Sequence, residues 1–459
     1  MAAIITTDFR LNNAKAFKTA VTSESVYLSI GKSDPWSTTL GVADTLATVP
    51  PTPVDTQVEK TDFWQSAIAL KKVDSSSVTH IVPRYNWVAG STYVAWDDAD
   101  ADIFTKNFYV ITPDEYKVYK CTSILPTATT VSVKPTHDDT VNPVNGGDGY
   151  FWKYMYTLSA QETASFLTNS YMPVKTVVIP TGGVIGDLSV TDQTRYLYQQ
   201  NSAANVGKLY RIVVTNPGSG YTGSAPSVLI TGDGSAAAAT AYLNGSGGVS
   251  HILINNNGAN YTNVKVTLTG GTGTGATARA VLSPPGGHGT DPVGELGGVF
   301  IGMRVVLTGA EGGDFIVNGG EFRQLGIIRN PTNYGTTTTS TATTLSALKT
   351  ITLGAGSVGG FIVGDVITGG VTGAKAYVDS FDSATGIIKY HQNDKTGYTA
   401  FSTSPQDGLA GVLGGSGTVG SLGNPEVNKF SGTVIFVENR TALKRSASQL
   451  EDIKVIVEF

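Results

Sequence analysis

The glycines decide most about this chain. There are 55 of them in 459 residues, and they fall between Val, Ile, Thr and Tyr with no fixed period. A three-residue period would mean a collagen-like helix, and glycine tracts without apolar residues would mean disorder. Neither applies. What remains is a set of short strands joined by tight turns, in which glycine and asparagine supply the positive φ angles. The expected fold class is therefore mainly β: an α+β core with few short helices, β-sandwich-like, and multi-domain, because a chain this long exceeds what one core organises.

Two Gly/Thr-rich β modules stand out as insertions. The first spans 205–282 and contains a repeat: Ile212-Val-Val-Thr-Asn-Pro-Gly-Ser-Gly-Tyr-Thr222 matches Ile252-Leu-Ile-Asn-Asn-Asn-Gly-Ala-Asn-Tyr-Thr262. Each copy continues into an alternating strand (227–231, 265–269) and an Ala-Thr-Ala strand near 239–241 and 276–278. One such unit cannot bury its apolar face alone, so the two copies should pack as one module. The second module spans 345–402, with strands over 364–369, 374–379 and 386–390. The tracts 336–344 and 408–423 beside it read as linkers or mobile loops.

Elsewhere the periodicity predicts a helix over 9–21, capped by Thr7 or Asp8, with Phe9, Ala16, Phe17, Ala20 and Val21 on one face. Strands follow at 26–30 and 116–121. A helix over 62–72 begins at Thr61 or Asp62. Ser159-Ala-Gln-Glu162 is a capping box opening a third helix. Strands at 432–437 and 452–459 close the chain.

The charge of −5 and the lack of a Lys/Arg run give no attraction to nucleic acid. Cys121 is the single cysteine, which excludes an internal disulfide framework and a cysteine-built zinc site and fits a reducing cytoplasm. The N-terminal stretch from Met1 to Asp8 lacks a basic region followed by an apolar run, so no secretory signal is expected. No apolar run is long enough for membrane insertion.

No catalytic, cofactor-binding or metal-binding set is expected. Gly218–Gly223 and Gly415–Gly420 spell a dinucleotide fingerprint, but neither opens a helix, so both read as turns. Gly31-Lys32-Ser33 lacks the earlier glycine of a phosphate loop, and Pro35 forbids the helix. Asp98, Asp100 and Asp102 alternate like a calcium loop, yet Ile103 and Tyr109 stand where its Gly and Glu belong, leaving a solvated acidic turn. The His residues have no close pairing, and His80 beside Ile81-Val82 reads as a structural hydrogen-bonder.

What the chain does carry is a series of aromatic, Arg and Gly motifs. In order they are Gly31-Lys-Ser-Asp-Pro-Trp36, Asp62-Phe-Trp64, Ile81-Val-Pro-Arg-Tyr-Asn-Trp87, Gly147-Asp-Gly-Tyr-Phe-Trp152, Phe322-Arg-Gln-Leu-Gly-Ile-Ile-Arg-Asn-Pro331 and Val437-Glu-Asn-Arg440. Each joins an anchor to a turn residue. Trp36, Arg84, Trp87, Trp152, Arg323 and Arg440 are the structural or interface candidates. For Arg84 and Arg440 two readings stand: an intrachain corner, or an anchor at a subunit border.

Taken in this order, with the chain ending on a β-strand and Phe459, the motifs resemble the gene product 8 family of baseplate wedge proteins in contractile-tailed bacteriophages, the myoviruses. The resemblance covers about 1–200, 286–335 and 425–459, which would be the N-terminal core, its continuation and the C-terminal core strands. It does not cover the two inserted modules. It implies a homodimeric, non-enzymatic late protein of the virion, made in the host cytoplasm. It would bind other wedge subunits and serve the platform that anchors tail fibres and triggers sheath contraction, with tail-fibre or peripheral baseplate proteins as further partners. The rival reading is a host-surface or carbohydrate-binding fibre protein built from β repeats, which exposed Tyr221 and Tyr261 in their equivalent turns, with glycan binding by the isolated module, would favour.

Overall fold

The computed structural model of the chain describes residues 3–37, 48–309, 311–312, 315, 320–446 and 448–459. Met1, Ala2 and parts of the segments 1–200, 286–335 and 425–459 lie outside the described residues. The chain is mainly β, with several sheets and few short helices. It divides into two compact units: Met1–Lys15 with Thr79–Gly302 and Ile456–Phe459, and Ala16–Val78 with Met303–Val455.

In the first unit, strands Tyr109–Ile111, Lys117–Ile124, Tyr150–Thr157 and Val144–Asn145 form a sheet in that order. Lys120 faces Lys153 and Cys121 faces Trp152 across its central pair. Val78–Pro83 pairs antiparallel with Tyr171–Val174, His80 opposite Val174. Helix Ala160–Phe166 opens on the expected capping box: Ser159 Oγ accepts from Glu162 N at 3.2 Å, and Glu162 Oε2 accepts from Ser159 N at 2.9 Å.

A further helix, Val190–Ser202, has no counterpart in the sequence reading. Its buried face consists of Arg195, Gln199 and Ser202, so apolar periodicity could not reveal it. Arg195 forks onto Glu162 at 2.6 and 2.5 Å, and Gln199 bonds the N–H and C=O of Val177, both at 2.9 Å.

The repeat folds by exchanging strands. Its sheet runs Ser235–Leu243, Val249–Ala259, Arg211–Asn216, Thr277–Val281, with Ser227–Gly232 and Val264–Thr269 as a separate antiparallel pair. The last strand of each copy therefore lies against the first strand of the other. Ile212 faces its own equivalent, Ile252, at the centre. Neither copy has a complete sheet without its twin.

In the second unit, a five-stranded sheet runs Thr344–Ser346, Ala67–Lys72, Val26–Gly31, Glu321–Arg329, Thr433–Lys444. The helix expected over 62–72 is instead Gln57–Ser66, capped by Thr56, and Ala67–Lys72 is a strand. The first four residues of that strand are buried, and Leu70 lies opposite Ser29. A short apolar run fits either element, and here the sheet wins.

The same unit holds a closed barrel of Lys349–Leu353, Ile387–His391, Lys375–Asp382, Val366–Gly369, Gly408–Gly411 and Ser416–Gly423. The tract 408–423, expected to be a linker, supplies its last two strands. Their glycines have a packing reason: a Cβ on Gly411 would lie 2.1 Å from Gly414 O, and one on Gly420 would lie 3.0 Å from Leu353 O. The 336–344 tract is mostly exposed but is anchored at Ser340 and at Thr344, where a strand begins. Ser340 is fully buried and donates its N–H to Pro331 O at 2.8 Å.

The N-terminal helix is present as Thr7–Ser23, but its buried residues are Leu11, Ala14 and Val21. Phe9, expected on the inner face, is 57% exposed.

Candidate functional site

The motifs gather into two corners, one in each unit. In the second unit the Gly31–Trp36 segment turns sharply. A Cβ on Gly31 would meet Ser66 O at 2.8 Å, and Lys32 adopts φ 63° while donating its N–H to Ser66 O at 2.9 Å. Asp34 is then buried among partners from the barrel. Lys395 Nζ lies 2.8 Å from Asp34 Oδ2 and 2.6 Å from Pro35 O. Ser33 Oγ donates to Asp379 Oδ1 at 2.6 Å. His391 Nδ1 is 2.8 Å from Asp379 Oδ2, and its Nε2 is 3.4 Å from Asp34 Oδ1, an ion-pair distance rather than a tight hydrogen bond. Tyr377 stacks on the His391 ring, and Lys32 completes the cluster against Asp34.

Burial opposes charging of His391, but Asp379 and Asp34 outweigh it and push its pKa up to about 9. Burial alone would also raise Asp34. The close approach of His391 and the charges of Lys32, His391 and Lys395 instead hold it well below the usual carboxylate range. The arrangement is a buried clamp of alternating charge that fixes the corner to the barrel.

The other motifs of this unit brace the same corner. Arg323 donates to Ser33 O and to Glu321, each at 2.6 Å. Half-buried Trp36 donates Nε1–H to Arg440 O at 3.1 Å. Arg440 lends its backbone to the corner, while its side chain stays 37% exposed, 3.9 Å from Glu438. Gly326 leaves room for Phe63, whose ring would lie 2.3 Å from any Cβ there. Asn330 takes φ 54° and exchanges hydrogen bonds with Ser25, ending the strand before Pro331.

In the first unit, Arg84 donates to Thr168 O and to Asn86 Oδ1, both at 2.8 Å, and so braces an intrachain corner. Trp87 donates its backbone N–H to Ile111 O at 2.9 Å and packs against the cluster around Trp152. Trp152 is 1% exposed, edge-on to Tyr93 and stacked with Tyr150. Asn145 Oδ1 holds the Gly147 and Gly149 N–H groups of the turn before it. His80 Nδ1 lies 2.8 Å from Gly298 O, as a structural histidine.

Beneath this corner lies a polar cluster that the sequence did not signal. Lys120 and Glu295 form a fully buried pair at 2.6 Å, with Lys120 over the Trp96 ring at 4.3 Å. Burial drives His288 well below its usual pKa and pushes Lys153 down to about 8. The 98–102 acidic turn is tied down by Arg279 on Asp97 and Asp98 and by Lys106 on Asp100. Among the described residues no His/Cys/Asp/Glu group is arranged to hold a metal, and no helix is long and apolar enough to cross a membrane.

The family model described as bacteriophage T4 Gp8 matches residues 3–136. The baseplate wedge protein gp8 of Enterobacteria phage T4 is 22% identical over 245 residues, which cover 46% of this chain and 70% of that protein. Over these residues the chain is similar to the gp8 family. The family-model match takes in Gly31–Trp36, Asp62–Trp64 and Ile81–Trp87, and so includes part of each corner. It ends before the gp8-like Gly147–Trp152 turn, the repeat and the barrel. Asp379, His391 and Lys395, the barrel half of the clamp, lie beyond it.

Proposed function

We propose that the chain is a structural subunit of the baseplate wedge in a contractile-tailed phage. It contributes to baseplate assembly and to the platform that anchors fibres and triggers sheath contraction, without catalytic turnover. The similarity to the T4 wedge protein over 70% of that protein's length carries this reading. The two corners support it. Their Trp, Arg and Gly residues are spent on intrachain braces, which suits a part that must hold its shape under load.

In this reading the partners are a second copy in a homodimer, other wedge subunits, and tail-fibre or peripheral baseplate proteins. Nucleic acid and membrane insertion play no part. The place is the virion baseplate, after synthesis in the host cytoplasm. The segments 205–282 and 345–402 act as insertions that add contact surface to the core segments 1–200, 286–335 and 425–459. Trp36, Arg84, Trp87 and Arg440, the candidate residues left partly open, are the ones available to a neighbour.

Immunogold electron microscopy of purified particles tests the proposal. Label at the distal baseplate is expected; label along projecting fibres, or none on particles, would overturn it. Tyr221 and Tyr261 do not favour the fibre reading, since they are 4% and 5% exposed and belong to the core of the repeat.

A further inference from the structure

Four of the sequence motifs meet at one small cleft within the second unit. Trp36, Asp62, Gln324 and Asn439 each supply part of its wall, together with Glu59, Asn393 and Asp394. Two of these side chains leave a buried polar atom unsatisfied: the amide nitrogen of Asn393 and the amide oxygen of Gln324, on residues 2% and 4% exposed. Turning either amide over does not cure this. Asn393 Oδ1 accepts from the N–H groups of Lys395 and Thr396, at 3.1 and 3.4 Å, so its nitrogen faces the other way. Asn439 gives its own nitrogen to Pro51 O at 3.1 Å, which turns its oxygen toward Gln324. Gln324 answers with Nε2 at 2.8 Å and is left with Oε1 unpaired. The cleft therefore offers one unused donor and one unused acceptor.

The charge around it is lopsided. Among the described residues Glu59, Asp62 and Asp394 form no salt bridge. Burial and the negative charges of Asp394 and Glu59 push the Asp62 pKa up, with Lys32 as the smallest and only opposing influence. The two lysines of the lining, Lys32 and Lys395, are both turned onto Asp34. Among the described residues no His/Cys/Asp/Glu set is arranged to hold a metal. The cleft's volume of about 190 Å³ also lies below the ~300–1,000 Å³ of cofactor sites.

We propose that the cleft receives an arginine side chain presented by a neighbouring protein of the assembly. Its guanidinium sits among the three carboxylates and the Gln324 oxygen, and a carbonyl of the same segment accepts from Asn393. A guanidinium carries N–H donors and no acceptor, which matches a rim of unpaired oxygens. Being planar, it also lies well against the half-buried Trp36 ring. The sequence between Trp36 and Pro51 contains no Lys or Arg, so that stretch supplies no cation. The inference rests on the wedge reading for the existence of a neighbour and adds the chemistry that holds it.

Titration of the full-length chain with N-acetyl-arginine methylamide tests this. Binding is followed at the five tryptophan indole N–H signals in a nitrogen-15 spectrum, that of Trp36 being assigned through Trp36→Phe. The Trp36 signal is expected to shift saturably at concentrations on the order of millimolar. The citrulline analogue, similar in shape but uncharged, should bind roughly tenfold more weakly. The double variant Asp62→Asn, Asp394→Asn, changed only at exposed positions, should keep its circular dichroism and lose about tenfold in affinity. A cleft that takes only water would leave the Trp36 signal still, and that result would overturn the inference. Equal binding of the citrulline analogue, or unchanged affinity in the double variant, would overturn it too. The probe is read on the free chain, so its failure leaves the wedge role untouched. Immunogold label away from the baseplate would, in turn, leave the cleft's preference for a guanidinium standing.

Discussion

His391 takes its proton from a setting with carboxylates on two sides and lysines at the rim. Its pKa is raised from the ordinary imidazole value to about 9, so the folded state binds the proton more tightly than the unfolded one. The stabilisation is complete below about pH 6.5 and is lost as pH rises through 9. Chemical denaturation of the chain at pH 6 and at pH 9.5 should show the second unit weaker at the higher pH, and His391→Gln should flatten that difference. Because the substitution leaves Asp34 and Asp379 facing each other without their shared cation, a cost of about 3–5 kcal/mol is expected. Gly326→Val belongs to the same scale. Its side chain would collide with the buried Phe63 ring, and a loss of roughly 1–3 kcal/mol should appear in the same denaturation curves. The motif halves of these contacts were legible, since Trp, Arg and Gly at fixed spacing mark a corner. The clamp partners were not. Asp379, His391 and Lys395 have no local pattern, and Lys395 is separated from Asp34 by 361 positions.

Elements were legible where local chemistry and packing agree. The capping box at Ser159 sets its helix without help from elsewhere, and the repeat strands announced themselves by alternation. The misses have physical causes. Helix Val190–Ser202 turns polar groups inward, so its period is invisible to a search for apolar residues. Ala67–Lys72 is a strand because sheet partners occupy both its edges, which composition does not show. The tract 408–423 looked like a linker because its strands are built from glycines chosen for close approach. The repeat gives a prediction at this scale. Tyr221 and Tyr261 sit in its core, so Tyr261→Ala should cost roughly 3–5 kcal/mol. Limited proteolysis should then cut first within 205–282. Unchanged resistance there would mean that the ring does not support the module.

At the scale of the whole molecule, both units are assembled from separated stretches of chain. The second takes Ala16–Val78 from near the start and Met303–Val455 from near the end. Its sheet joins the two, with Val26–Gly31 hydrogen-bonded to Glu321–Arg329 and Ala67–Lys72 to Thr344–Ser346. This makes the order of events on the ribosome matter. Lys32 and Asp34 emerge early as a pair, and the barrel partners of Asp34 follow much later, Lys395 by 361 positions. At about 5–20 residues per second, that gap is roughly 20–70 s. Through that interval the paired strands Val26–Gly31 and Ala67–Lys72 wait for their outer neighbours, and a carboxylate destined for burial has only Lys32 beside it. Stalled nascent chains ending before 391 should therefore be cut readily within 16–78, and full-length released chains should not. A particle that needs many identical copies at once would feel that delay as a standing population of half-made subunits, each needing protection until its last third leaves the ribosome.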